Sequence, residues 1–262
     1  MNKTKAGAVT VFATAIVMAL AGCDSKAPGG DIVAKPQATA KTDPLPAPKQ
    51  EPPPAPKTDI DRSKVPAELQ TDAYRYYGLS NPKPLDMELN LKKDNTVLTG
   101  ATSARMTQVD KSGASFAVET TGSLHETIGD GVVSLKPDGV YEVSSEKEKI
   151  DHPMLALPTG VEKGKTWSID SKVEANARTE REQMTFKSQG IQSLTIGKTT
   201  YQALYVVGKG KLTGDARGPI TMRQWFVKDI GMVKMEMVQT EKGKPPVTST
   251  MIWKPTDSKA KS

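Results

Sequence analysis

Leu85-Asp86-Met87-Glu88-Leu89-Asn90-Leu91 alternates apolar and polar residues without a break. Successive side chains of an extended chain point to opposite faces. This stretch therefore reads as a strand with Leu85, Met87, Leu89 and Leu91 buried and Asp86, Glu88 and Asn90 wet. The same period of two recurs at Phe116 and Val118, and at Val247, Ser249, Met251 and Trp253. A helix would bring apolar residues round every three or four positions, and no long segment does so.

Turn chemistry punctuates these runs. Asp94-Asn95, Asp110-Lys111-Ser112-Gly113, Gly129-Asp130-Gly131, Lys136-Pro137-Asp138-Gly139 and Glu241-Lys242-Gly243-Lys244 all suit hairpins. In the fourth, proline presets φ and glycine accepts the positive φ that closes the turn. Short connections between consecutive strands make the pairing antiparallel. The expected fold is mainly all-β: an antiparallel meander of about ten strands, curling into an open or partly closed half-barrel. It spans residues 66–255, with a short helix opening near Pro66, carrying Tyr74, Tyr76 and Tyr77, and stopping at Gly78.

Residues 23–65 have a different composition. Proline, alanine, lysine, threonine and aspartate dominate, as in Pro44-Leu45-Pro46-Ala47-Pro48-Lys49 and Pro52-Pro53-Pro54-Ala55-Pro56-Lys57. So little apolar surface cannot offset the entropy of ordering, and the segment reads as a disordered linker. In polyproline II at about 3.1 Å per residue, roughly 40 residues reach about 100 Å. Residues 256–262 read as a disordered tail.

Before the linker, Lys3 and Lys5 precede a small and apolar run that includes Val9, Val11, Phe12, Ile16, Val17, Met18 and Leu20. It is shorter than the roughly 20 apolar residues a bilayer core needs, so residues 1–22 read as a signal peptide. The run ends in Leu20-Ala21-Gly22-Cys23, and Cys23 is the chain's single cysteine. This resembles the lipobox of bacterial lipoproteins. The resemblance implies cleavage after Gly22, a diacylglycerol thioether and an N-acyl chain such as palmitate on Cys23, and anchorage in the lipid bilayer. Asp24, next in line, resembles the sorting signal for the inner (plasma) membrane, with the outer membrane as the alternative. A modified Cys23 leaves no thiol for disulfides, nucleophilic chemistry or metal ligation.

The net charge is +6, with 36 basic and 30 acidic residues. The basic residues are interspersed with acids and are not gathered with aromatics into a stripe, so no nucleic-acid partner is expected. Of the two histidines, His125 reads as a strand residue facing water and His152 as a loop residue before Pro153. Neither has a second histidine at ligand spacing, and no metal or cofactor is expected. Ser144-Ser145-Glu146 and Glu180-Arg181-Glu182 read as solvated charge runs. Gly208-Lys209-Gly210-Lys211-Leu212-Thr213-Gly214 lacks dinucleotide and phosphate-loop spacing and reads as a β-hairpin or bulged edge.

Three series in the C-terminal half belong together. They are Leu157-Pro158 with Gly164-Lys165-Thr166-Trp167, then Thr195-Ile196-Gly197-Lys198-Thr199-Thr200-Tyr201-Gln202-Ala203-Leu204-Tyr205-Val206, then Trp225-Phe226-Val227-Lys228-Asp229-Ile230-Gly231-Met232-Val233-Lys234. Together they resemble the TapB-like family of bacterial envelope proteins, whose function is unknown. The chain also resembles the curved half-barrels of lipoprotein carriers, but it has its own anchor and no obvious helical lid. Independently of any family, Gly164 and Gly231 suit tight turns, while Trp167, Trp225, Val227 and Val233 suit packing on strands.

Methionine is frequent, with 11 in the chain against 5% aromatic residues. Met87, Met106, Met184, Met222, Met235, Met237 and Met251 mostly fall in strand runs. They form either a face for an apolar ligand, since thioethers repack readily, or ordinary core filling. The expected protein is thus a non-enzymatic, membrane-anchored envelope lipoprotein whose β domain binds a protein partner or an apolar ligand. Two alternatives remain. One is a structural envelope spacer. The other is a hydrolase of envelope polymers with two acids drawn from Glu126, Asp130, Glu180 and Glu182, held roughly 5 to 9.5 Å apart.

Overall fold

The computed structural model describes residues 59–255, except 82, 93–94, 176–177, 216 and 241–244. The signal peptide, Gly22, Cys23, Asp24, nearly all of the linker, the tail and the Glu241–Lys244 turn lie outside the described residues.

Among the described residues, thirteen strands form one antiparallel sheet. They are β1 (Leu85–Leu91), β2 (Thr96–Val109), β3 (Ala114–Thr120), β4 (Gly131–Lys136), β5 (Gly139–Ser145), β6 (Lys149–Ile150), β7 (Met154–Pro158), β8 (Thr166–Ala175), β9 (Arg178–Ile196), β10 (Thr199–Gly214), β11 (Gly218–Val227), β12 (Gly231–Gln239) and β13 (Val247–Pro255). The spatial order is β6-β8-β9-β10-β11-β12-β13-β1-β2-β3-β4-β5-β7. The last strand pairs with the first, Met87 opposite Trp253 and Leu89 opposite Met251, so two meanders join at the termini of the domain.

The sheet curls until its ends meet. β7 runs beside β8, and β5 beside β6, with no hydrogen-bonded ladder between them. Many twisted strands with one apolar face curl in this way to cover that face. Alternation sets which residues face inward: on β1, Met87 and Leu89 are buried while Asp86 is exposed.

Two helices are present among the described residues: α1 (Asp72–Tyr76) and α2 (Ser123–Ile128). The short helix expected to open near Pro66 is a single 3-10 turn at Ala67–Leu69 followed by α1, and a further 3-10 turn precedes it at Arg62–Lys64. Thr71 caps α1 by accepting from the Tyr74 amide, and Gly78 ends it at φ +82°. The Gly129-Asp130-Gly131 signal is not a simple hairpin, because α2 stands between β3 and β4 with Leu124 and Ile128 in the core.

The folded unit also begins before Pro66. Ile60 donates its amide to Met106 O at 2.9 Å, Arg62 Nε donates to Leu79 O at 2.8 Å, and Val65 is buried.

Candidate functional site

All seven singled-out methionines lie in one core cluster, and each is at most 2% exposed. They share that cluster with Phe116, Phe226 and Trp253. The methionine face is occupied: Val65, Leu69, Ala73, Tyr74 and Leu79 of the N-terminal segment belong to the same cluster. Tyr74 faces Phe116 with ring centroids 6.5 Å apart. The segment acts as a plug, the covering element that the sequence reading had left out. Beside it lies a cavity of about 100 Å³, bounded by Tyr77, Leu85, Thr102, Val118, Phe226 and Trp253. Small-ligand sites are typically about 300–1,000 Å³.

Polar contacts fix the plug at several points. Asp72 accepts from the amides of Gly160 and Val161, both at 3.0 Å, tying α1 to the loop after β7. Arg75 pairs with Asp229 at the β11–β12 turn. Gly78 lies against that turn so closely that a β-carbon there would sit 2.6 Å from Ile230 O. Only glycine fits both this approach and the positive φ.

The seam where the sheet ends meet is lined with acids. Glu142 on β5, Glu148 before β6, and Glu180 and Glu182 on β9 are all buried. The solvated reading of Glu180-Arg181-Glu182 is therefore corrected. Period two puts Glu180 and Glu182 on the same inward face as Met184 and Phe186, while Arg181 points out and pairs with Asp170 at 2.6 Å. Burial, then the nearby Glu182 charge, pushes the Glu142 carboxyl up to about 8. Tyr77 Oη lies 3.4 Å from Glu142 Oε1, and burial drives its phenol well above the usual range. Burial and the surrounding Glu182, Glu142 and Glu180 likewise raise Glu148 well above a normal carboxyl. Burial thus shifts Glu142 and Glu148 towards the neutral form, in which a carboxyl can donate a hydrogen bond.

The outer face carries a different feature. β9 pairs with β8 only as far as Lys187, and β10 pairs with β11 only from Ala203. The hairpin beyond, from Ile191 through the Gly197–Lys198 turn to Gln202, projects as a two-stranded arm. Ile191 is 52% exposed on one side of it. Leu194, Ile196 and Tyr201 lie on the other side, packed with Trp225 and Ile230 around Ala203, Val227 and Val233. Next to them, Tyr205 and Trp225 are stacked at 4.9 Å, and Lys234 Nζ stands 5.0 Å over the Trp225 ring. The two longest series of the sequence resemblance thus build one apolar outcrop. A bulge between Trp225 and Phe226 turns Val233 outward into it. Trp225 is only half-buried, whereas Trp167 is buried against Phe186 with centroids 5.4 Å apart.

The glycine-rich Gly208–Gly214 stretch is not an edge but one arm of the β10–β11 hairpin. It is the C-terminal part of β10, paired with β9 as far as Gly214 and with β11 as far as Leu212. Its glycines admit large neighbours: a β-carbon at Gly208 would lie 2.7 Å from Phe186 Cδ1.

His125 is not on a strand but on α2, and His152 lies apart, 2.8 Å from Asp151. Of the four proposed hydrolase acids, Glu126 is exposed on α2 and Asp130 follows it, while Glu180 and Glu182 are inside the seam. Sequence reasoning missed Glu142 and Glu148. The signal for Glu142 was its place in β5, two residues after the inward Val140.

No protein-family model matches the chain. No curated protein sequence matches it either. Among solved structures, it is similar to a candidate lipoprotein from Parabacteroides distasonis ATCC 8503, with a TM-score of 0.51 and 12% identity over 69% of this chain and 97% of that one. It is also similar to a candidate exported protein with YmcC-like fold from Bacteroides fragilis NCTC 9343, with a TM-score of 0.46 and 9% identity over 67% and 95%. A third is the hypothetical lipoprotein YmcC of Escherichia coli K12, with a TM-score of 0.33 and 11% identity over 68% and 89%. The first of these likenesses shows a shared fold. Among the described residues, no helix is long and apolar enough to cross a membrane.

Proposed function

We propose that this chain is a lipid-anchored envelope protein whose β domain docks a protein partner through the projecting β9–β10 arm and does not enclose an apolar ligand. The anchor is the lipobox-like Leu20-Ala21-Gly22-Cys23, followed by the proline-rich spacer. Asp24 favours the inner membrane, and the TapB-like resemblance is consistent with an envelope protein.

One observation carries the docking half. The inner face is filled by the chain's own N-terminal segment, whereas the arm leaves Ile191 exposed and Leu194, Ile196 and Tyr201 half-covered. Unpaired strand edges beside such residues are costly to leave in water and suit strand addition by a partner. No catalysis is assigned to the seam acids, all four of which are buried.

The test places a photo-crosslinking amino acid at Ile191 in cells producing the intact lipoprotein, with Val97, 49% exposed on β2, as the control. A discrete protein adduct from position 191 and none from 97 supports the reading. Equal labelling at both positions, or adducts to lipid alone, overturns it.

A further inference from the structure

We propose that His125, Asp130 and Glu146 form a binding site for a divalent transition-metal ion such as Zn²⁺. Their three potential ligand atoms all lie within 4.8 Å of one another. They come from three different elements: His125 from α2, Asp130 from the residue before β4, and Glu146 from the residue after β5. His125 Nδ1 stands 3.5 Å from Asp130 Oδ1, and Nε2 stands 3.9 Å from Glu146 Oε2.

Two observations go beyond proximity. His125 Nδ1 is shielded from solvent and has no hydrogen-bond partner. A shielded ring nitrogen is normally satisfied, and an ion shared with the Asp130 carboxylate that faces it would satisfy it. Both carboxylates are also held in place by backbone donors. The Thr120 amide donates to Asp130 Oδ1 at 2.9 Å, and the Asp130 amide donates to Glu146 Oε2 at 3.1 Å. The Glu146 amide in turn donates to Asp130 O at 2.7 Å. This is the outer-shell support that orients metal ligands. Lys147 Nζ engages Glu146 Oε1 at 2.8 Å, leaving Oε2 toward the histidine.

One imidazole and two carboxylates suit zinc and its neighbours in the first transition row. Around a tetrahedral ion at about 2.0–2.1 Å, ligand atoms lie about 3.4 Å apart, so closing the site takes movements of about 1 Å. Three protein ligands leave a position open. Beside it runs an open groove of about 340 Å³ along Arg105, Glu119, Asp130, Ser144 and Glu146, from which a water or an anionic ligand could fill that position. Two of the ligands flank the β4–β5 hairpin and the third is on α2, so the ion would also clamp this end of the sheet.

The test is zinc titration by calorimetry on the full chain carrying Cys23→Ser, so that no thiol competes. We expect one zinc per chain and a rise in melting temperature on adding zinc. His125→Ala should weaken binding at least about tenfold and abolish the rise, since it removes the only nitrogen ligand. Glu146→Gln should weaken binding comparably, and His152→Ala should leave it unchanged. Circular dichroism of each zinc-free variant verifies folding. No zinc binding by the parent chain, or equal binding by a folded His125→Ala variant, overturns the proposal.

Discussion

Arg75 on α1 donates through Nε to Asp229 Oδ1 at 2.7 Å, across 154 positions of sequence, and the Asp229 amide donates back to Arg75 O at 2.9 Å. Asp229 holds a left-handed backbone at φ +62°, a strained choice for a non-glycine residue, and Ser80 also donates to its carboxylate. The pair is a latch between the plug and the β11–β12 turn, near the outer apolar outcrop. Arg75→Ala is expected to speed hydrogen exchange in residues 60–80 while leaving β3 to β5 unchanged. Both side chains are substantially exposed, so the global melting point should move little. Uniform exchange across both regions would show that no latch exists.

The plug makes a second prediction. Leu69 is fully buried, and its truncation to alanine should destabilise the domain by about 2–5 kcal/mol. If the methionine face is simply core, an apolar fluorescent probe will bind Leu69→Ala no better than the parent chain while both remain folded. Stoichiometric uptake of the probe would favour a ligand cavity that the plug gates.

The buried acids predict a pH window with a definite sign. Burial pushes the Glu142 carboxyl up to about 8 in the folded chain, from an ordinary value of 4.5. Its contribution to stability is full below about 4.5 and is lost as pH rises through about 8, because the unfolded chain releases the proton first. Glu142→Gln keeps an acceptor for Tyr77 and removes the ionisation. At pH 8 or above the variant should be more stable than the parent by about 2–4 kcal/mol, with the difference fading towards pH 4.5. Denaturant melts at several pH values measure this. A gap that does not change with pH would disprove the assignment.

Gly210 predicts a steric penalty. A β-carbon there would overlap Gln183 O and lie 2.8 Å from Met184 Cα. Gly210→Ala should cost about 1–3 kcal/mol by forcing β9 and β10 apart, read as a lowered denaturation midpoint. Gly197→Ala is a poor control for backbone strain because of its positive φ, but nothing lies within 4 Å of its added carbon. It isolates the conformational part of the cost, whereas Gly210→Ala reports the overlap.

The anchor is tested by Cys23→Ser. Two or more acyl chains give stable attachment, so their loss should shift the protein from the membrane to the soluble fraction. Mass spectrometry of the parent chain should show the added lipid. A serine variant that remains membrane-bound with unmodified mass would remove the lipoprotein reading.

The strand character of this chain was written in local alternation. Leu85 to Leu91 placed Met87 and Leu89 inward, and Phe116, Met251 and Trp253 followed the same rule. Pro137 and Asp138 marked the β4–β5 turn, and Gly78 marked the end of α1. These features depend on a few neighbouring residues, so the sequence holds all the information they need. Alternation also held the burial of Glu180 and Glu182, since they keep step with Met184 and Phe186. Their charge hid it, because acids are usually solvated.

Tertiary structure decided what required distant segments to meet. Curling brings the two ends of the sheet together at the seam, and only that puts the buried Glu142 near enough to Glu182 for burial and the neighbouring charge to raise its carboxyl. The unequal lengths of β8, β9, β10 and β11 leave the arm projecting, which no single strand reveals. His125 meets Asp130 and Glu146 because a six-residue helix replaces the expected hairpin turn. Local periodicity selects the face on which a residue lies. Which faces and ends then meet is set by the closure of the sheet, where the free energy comes from burying apolar surface between residues far apart in the chain.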